Sequence, residues 1–136
     1  MYTLHEIEEK IKLAKELNLS GAELLEDRER AQRVCNGIGA EWMPEIARKL
    51  ISALNPTLVL AADIHDIRYD IGGTEADRMD ADNEMLENGY TLADARYSWY
   101  NPLRYWVKRE MRKFYGILRD FGGWAWNYPE GYFGGQ

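Results

Sequence analysis

Residues 55–73 read NPTLVLAADIHDIRYDIGG, and the rest of the chain is organised around them. Asn55 suits a helix N-cap and Pro56 the first turn, where its missing N–H is not needed. Gly72 and Gly73 supply the stop. Between these ends, Leu58, Ala61, Ala62, His65 and Tyr69 share one helical face, and Leu60, Ile64, Ile67 and Ile71 share roughly the opposite one. A helix apolar on two sides is wrapped by its neighbours, so 56–71 is expected at the centre of the fold. His65 falls mid-helix, among small alanines that leave room for another group to reach it.

Downstream, Thr74 caps a helix from Glu75 to about Asn88. Asp77, Asp80, Glu84 and Glu87 give it a charged side; Met79, Met85 and Leu86 give it an apolar side with Asp82 in the middle. Helices joined by so short a turn lie antiparallel with their inner faces opposed. Residues 89–100 read as loop, with a short helical turn at Leu92–Arg96. Asn101-Pro102 opens the last helix, in which Leu103, Val107, Met111, Phe114, Leu118 and Phe121 keep a 3–4 spacing up to Gly122-Gly123.

Upstream, Thr3 with Glu6 and Ser20 with Glu23 are two capping boxes. They open helices running to about Asn18 and about Val34. The segment Cys35-Asn36-Gly37-Ile38-Gly39-Ala40 breaks the second, and Pro44 starts a third helix through Leu54, with Ile46, Leu50 and Ile51 inward. There is no strand period, repeat or linker. The expectation is an all-α single domain over residues 1–136 with about six helices. It comprises N-terminal helices (1–34), a core (35–88) built on antiparallel helices at about 56–71 and 75–88, and a long C-terminal helix (101–121).

Composition narrows the function. The 136-residue chain can bury one hydrophobic core, and 46% hydrophobic with 29% charged residues is a globular balance. A net charge of −6 argues against a general nucleic-acid binder, and against recruitment to anionic membranes by charge alone. No apolar run reaches membrane-spanning length and no secretory signal opens the chain. A single cysteine, Cys35, excludes an internal disulfide and makes the cytoplasm the default location, with phage association or export as alternatives. Trp99, Tyr100, Tyr105, Trp106, Trp124 and Trp126 crowd the C-terminal region. They read either as caps of the core or a homo-oligomer contact, or as a lip for peripheral membrane contact; the first is preferred.

The candidate chemistry starts from His65. A carboxylate on an apolar helix face needs a partner, and an inward Asp82 facing an inward His65 satisfies both. The carboxylate fixes the tautomer and leaves the other ring nitrogen to take a proton from water. The plainer alternatives are a structural His–Asp bond, or Asp82 paired with Arg78 or another arginine. Asp66 points about a quarter turn from His65 as a hard-oxygen ligand. The Cys35–Ala40 loop can aim carbonyls at one point; it reads as part of a calcium site or, more simply, as a glycine helix terminator.

His65-Asp66-x-x-Tyr69 resembles the active-site helix of the secreted phospholipase A2 superfamily, and Gly37-Ile38-Gly39 resembles that family's glycine-rich calcium loop. Asp82 resembles the supporting aspartate of its second helix. The resemblance covers roughly residues 35–88. Ala61, Ala62 and Arg68 stand where animal members carry cysteines, which places the chain nearer the disulfide-free bacterial, phage and viral branches. Asn36 and Ala40 replace the loop's usual cysteine and last glycine, and the helix from Pro44 to Leu54 is extra. The resemblance implies His65 as general base supported by Asp82 and Tyr69. It also implies Ca2+ on Asp66 and the carbonyls of Cys35, Gly37 and Gly39, and a phospholipid or other lipid ester as substrate. The alternative from another class is a helical binding or assembly module, for instance in a phage or prophage particle, with hydrolysis weak or absent.

Overall fold

The computed structural model describes residues 1–35, 45, 49, 53–54, 57–130 and 132. Among these there is no strand; the fold is all-α. The α-helices are α1 (Leu4–Glu16), α2 (Arg28–Val34), α3 (Val59–Ile71), α4 (Glu75–Arg96) and α5 (Pro102–Phe121). Short 3-10 turns at Ala22–Glu26 and Gly122–Trp124 complete the described elements.

The capping box of Thr3 and Glu6 starts α1, which buries Ile7, Ile11 and Ala14. The second capping box does not form a helix start. Ser20 donates its hydroxyl to Glu84 and its backbone N–H to Asn88 Oδ1, so tertiary partners take the groups that would have capped. The expected helix from Ser20 is instead a 3-10 turn, followed by α2 with Asp27 as its cap, accepting from the Arg30 N–H.

Both faces of α3 are covered, as the two-sided pattern implies. Leu60, Ala61, Ile64, His65, Ile67 and Tyr69 are buried, as is Asp63. The helix ends at Gly72, whose φ of 74° a residue with a Cβ resists. The expected caps Asn55 and Pro56 lie outside the described residues; so do Gly37, Gly39 and much of the expected helix from Pro44, of which Glu45, Lys49, Ala53 and Leu54 are helical.

The capping box of Thr74 and Asp77 opens α4, which packs antiparallel to α3. Tyr69 and His65 meet Asp82, Arg68 meets Glu84, and Leu58 lies against Gly89, so partners ascend α4 as they descend α3. The expected end at Asn88 is wrong: α4 continues unbroken to Arg96. Asn88 spends its side chain on the Ser20 backbone rather than on a helix end. Gly89 is a notch, not a stop, because a Cβ there would collide with Met111 of α5. The apolar side also differs: Met79 is exposed, and the buried face runs through Ala81, Asp82, Met85, Asn88, Gly89, Leu92 and Ala93.

Asn101 caps α5 by accepting from the Leu103 N–H, with Pro102 in its first turn. Val107, Met111, Phe114 and Leu118 enter the core; Leu103 and Phe121, at the ends of the stripe, are exposed. One cluster of buried side chains runs from Ile7 through Ile64, Met85 and Met111 to Leu118. The chain then folds back across the α3–α4 turn. Trp126 donates Nε1–H to the Gly73 carbonyl at 2.8 Å, and the Gly73 N–H reaches the Asn127 carbonyl at 3.0 Å.

Candidate functional site

One turn of α3 and one residue of α4 make the centre of the site. His65 and Tyr69, four apart, emerge on one face of α3, their ring centroids 4.3 Å apart. Asp82 comes from the facing side of α4. His65 Nε2 lies 2.7 Å from Asp82 Oδ1, and the Tyr69 hydroxyl donates to the same oxygen at 2.7 Å. His65 is 2% exposed and the Asp82 side chain 0%.

The second carboxylate oxygen is occupied as well. Arg119 of α5 donates Nη1–H to Asp82 Oδ2 at 2.7 Å, and Arg78 Nη1 stands 3.8 Å from it. The two partners weighed from the sequence, a histidine and an arginine, are both present, one on each oxygen. Burial pushes the Asp82 carboxyl up. The hydrogen bonds from His65, Tyr69 and Arg119 outweigh it and hold Asp82 below its ordinary value. Tyr69 is pushed up, by burial first and the Asp82 charge next, so it remains a donor. An ionised acceptor requires the proton on Nε2, which makes Nδ1 the bare nitrogen when the ring is neutral. Among the described residues no hydrogen bond is made to Nδ1.

A ring of partners braces this centre. Glu75 accepts from Arg78 Nη2 at 2.7 Å, Arg119 Nη2 at 3.2 Å and the Tyr128 hydroxyl at 2.6 Å. Those bonds, led by Arg78, hold its carboxyl down at about 2. Arg78 also donates to the Leu118 carbonyl at 3.1 Å. Trp126 stands edge-on to Tyr69, centroids 5.0 Å apart. Gly122 passes so close that a Cβ would collide with the Tyr69 hydroxyl.

Neither family models nor curated proteins nor solved structures match this chain. Its site is therefore read from its own geometry.

Asp66 lies on a different side of α3 from Asp82, half-buried near Asp63, Tyr2 and Cys35. Burial, then the negative charge of Asp63, push its carboxyl well above the usual range. Among the described residues no cation pairs with it, and no three His, Cys, Asp or Glu side chains converge as a metal-binding group. Cys35 is buried, its thiol donating to the Asp63 carbonyl at 3.4 Å, which brings the start of the glycine segment against this turn of α3.

The aromatic residues divide. Trp126 caps the core beside Tyr69, whereas Trp99, Tyr100, Tyr105 and Trp106 are between 40 and 73% exposed. They cluster at the far end of α4 and α5. Asp82 and Arg96 are 14 residues apart along α4, about 21 Å of helix, so these side chains do not border His65. No helix among the described residues is long and apolar enough to cross a membrane. Sequence reasoning missed Arg119 and Trp126 as neighbours of the site. Arg119 gives no local signal, being one of several basic residues on an amphipathic helix, 37 residues from its partner.

Proposed function

We propose that the protein is a calcium-dependent, phospholipase A2-like ester hydrolase. The observation that carries this reading is the buried imidazole whose Nε2 is fixed by an ionised aspartate, with a tyrosine on the same oxygen. That arrangement is the base half of a triad in which water takes the place of the serine. His65 Nδ1 accepts a proton from water as the water oxygen attacks the ester carbonyl. Asp82 and Tyr69 hold the ring and stabilise its cationic form. The ester C–O bond then breaks, the proton passes from Nδ1 to the leaving alkoxide, and a carboxylic acid and an alcohol depart.

The donors that the resemblance nominates, the Asp66 carboxylate and main-chain carbonyls, are the hard oxygens that calcium takes and that zinc and copper do not prefer. A half-buried carboxylate next to a second acid, Asp63, is relieved by a cation. Asp66 and the carbonyls of Cys35, Gly37 and Gly39 would hold it. When bound, the ion supplies the positive charge that polarises an ester carbonyl.

The test is fatty-acid release from phospholipid mixed micelles with and without calcium. Release should require calcium and fall by about 10²–10⁴ in His65→Gln. A second reading, a binding or assembly module, is favoured by the exposed Trp99, Tyr100, Leu103, Tyr105 and Trp106, an apolar surface of the kind that marks interaction sites. No release by the parent protein, with no rise in its unfolding temperature on adding calcium, would leave that module reading standing.

A further inference from the structure

The ion pairs around Asp82 balance only when His65 is neutral. Two arginines, Arg78 and Arg119, face two carboxylates, Asp82 and Glu75; the remaining groups, Tyr69, Tyr128 and a neutral imidazole, carry no charge. Had the His–Asp bond been a plain structural ion pair, the imidazolium alone would compensate Asp82 and a second cation would be superfluous. A buried carboxylate facing only uncharged donors is costly. Here the compensating charge comes from elsewhere.

Of the two arginines, Arg119 is the one aimed at Asp82. Its Nη1 is 2.7 Å from Oδ2, while Arg78 stands at 3.8 Å and spends its donors on Glu75 and the Leu118 carbonyl. The other fork of Arg119 reaches Glu75 at 3.2 Å, so the guanidinium is held at two points and 20% of its side chain is exposed. Because Oδ2 is pinned from α5, Oδ1 cannot rotate away from His65 Nε2 and the Tyr69 hydroxyl.

We infer that Arg119 is a positioning residue of this site: it compensates and orients the Asp82 carboxylate so that a neutral His65 is held in its Nε2–H tautomer. The role deepens the hydrolase reading and rests on it only for the kinetic part of the test. Arg119 touches neither water nor substrate in this scheme. It acts through Asp82.

The experiment uses the full chain labelled with 15N-histidine, in the parent, Arg119→Gln, Arg119→Lys and Glu75→Gln forms, with unfolding followed in parallel. Nitrogen and proton shifts of His65 report which ring nitrogen carries the proton. The parent should show the single Nε2–H tautomer with a strongly deshielded proton. Arg119→Gln should show a mixture of tautomers and lose that proton signal, and Arg119→Lys, which keeps the charge, should recover much of it. In the kinetic arm, Arg119→Gln should lower kcat for fatty-acid release by roughly ten- to a hundredfold, less than loss of the base itself, with KM unchanged. A parent-like tautomer in folded Arg119→Gln would overturn the inference, and so would equal loss in the Gln and Lys variants, which would make the residue mere packing. Should Arg119→Gln not fold, Glu75→Gln decides: freeing one fork should partly mix the tautomers, and an unchanged signal overturns the proposal. A parent without hydrolysis removes the enzyme reading but leaves the nuclear magnetic resonance arm intact.

Discussion

Two aspartates with 0% exposure flank the centre of this molecule, Asp63 on α3 and Asp82 on α4, and they are kept in different ways. Asp63 faces α1 and the residues before it: Lys10 Nζ of α1 lies 2.9 Å from Oδ2, and the hydroxyl of Tyr2, ahead of the helix, donates to Oδ1 at 3.2 Å. Asp82 faces α3 and α5 and takes three close donors, from His65, Tyr69 and Arg119. Burial raises the Asp63 carboxyl and its partners, led by Lys10, only partly offset that; at Asp82 the partners win and the carboxyl is lowered. Equal burial therefore does not mean equal purpose. A single ion pair fastens one helix to another, whereas the site around Asp82 carries more compensation than fastening needs.

The largest effect should come from Asp82→Asn. It removes the charge that pairs with Arg119 and leaves one amide oxygen where two carboxylate oxygens took three donors, costing about 3–5 kcal/mol in urea unfolding, the usual cost of breaking a buried pair. Lys10→Met should cost less, about 1–3 kcal/mol, because Lys10 is partly exposed and Tyr2 remains on Asp63. The comparison sharpens in the double replacements. Lys10→Met with Asp63→Leu should return most of the lost stability, since a plain buried pair can be exchanged for apolar side chains. Arg119→Met with Asp82→Leu should not, since His65 and Tyr69 would still lack an acceptor. Recovery of both doubles to the same extent would erase the distinction drawn between the two aspartates.

Next in size are two glycines that are close approaches on α4 and after α5. Gly122→Ala should cost about 1–3 kcal/mol as overpacking, because the added Cβ meets a Tyr69 hydroxyl already pinned to Asp82. Gly89→Ala should fall nearer the lower end of that range, because the atoms it meets are the flexible end of Met111. Differential scanning calorimetry of the two variants measures the contrast.

Much of this was legible in the sequence where the signal is local. The four-residue spacing of His65 and Tyr69, the cap at Thr74 and the Asn101-Pro102 start depend on neighbours within one turn, and each forms its element. What misled was local chemistry whose outcome is decided at a distance. Ser20 and Glu23 have the pattern of a capping box, yet Glu84 and Asn88, more than sixty residues away, take the hydrogen bonds of Ser20. Gly89 has the pattern of a terminator, yet what crosses it is Met111, and a sequence does not announce which helix crosses which. Arg119 was invisible for the same reason. Roles at the site are less legible than its geometry, since an imidazole on a carboxylate is written the same way in a brace as in a base.

The smallest effect is also the one that separates the two aspartates most directly, because it differs in sign. Asp82 is depressed, so the stability it contributes is fully present above the unfolded value, about 3.8, and is lost only as pH falls through its lower folded value. Asp63 is raised, so its contribution is fully present below about 3.8 and is lost as pH rises through its higher folded value. Urea unfolding of the parent against Asp82→Asn should therefore show a gap that grows as pH rises through the acid range and levels off near 4. Against Asp63→Asn, the parent should instead lose ground as pH rises above about 4, where the folded state is made to give up a proton the unfolded chain has already lost. Gaps that move in the same direction over this span would mean that Lys10 and Tyr2 compensate Asp63 as fully as His65, Tyr69 and Arg119 compensate Asp82.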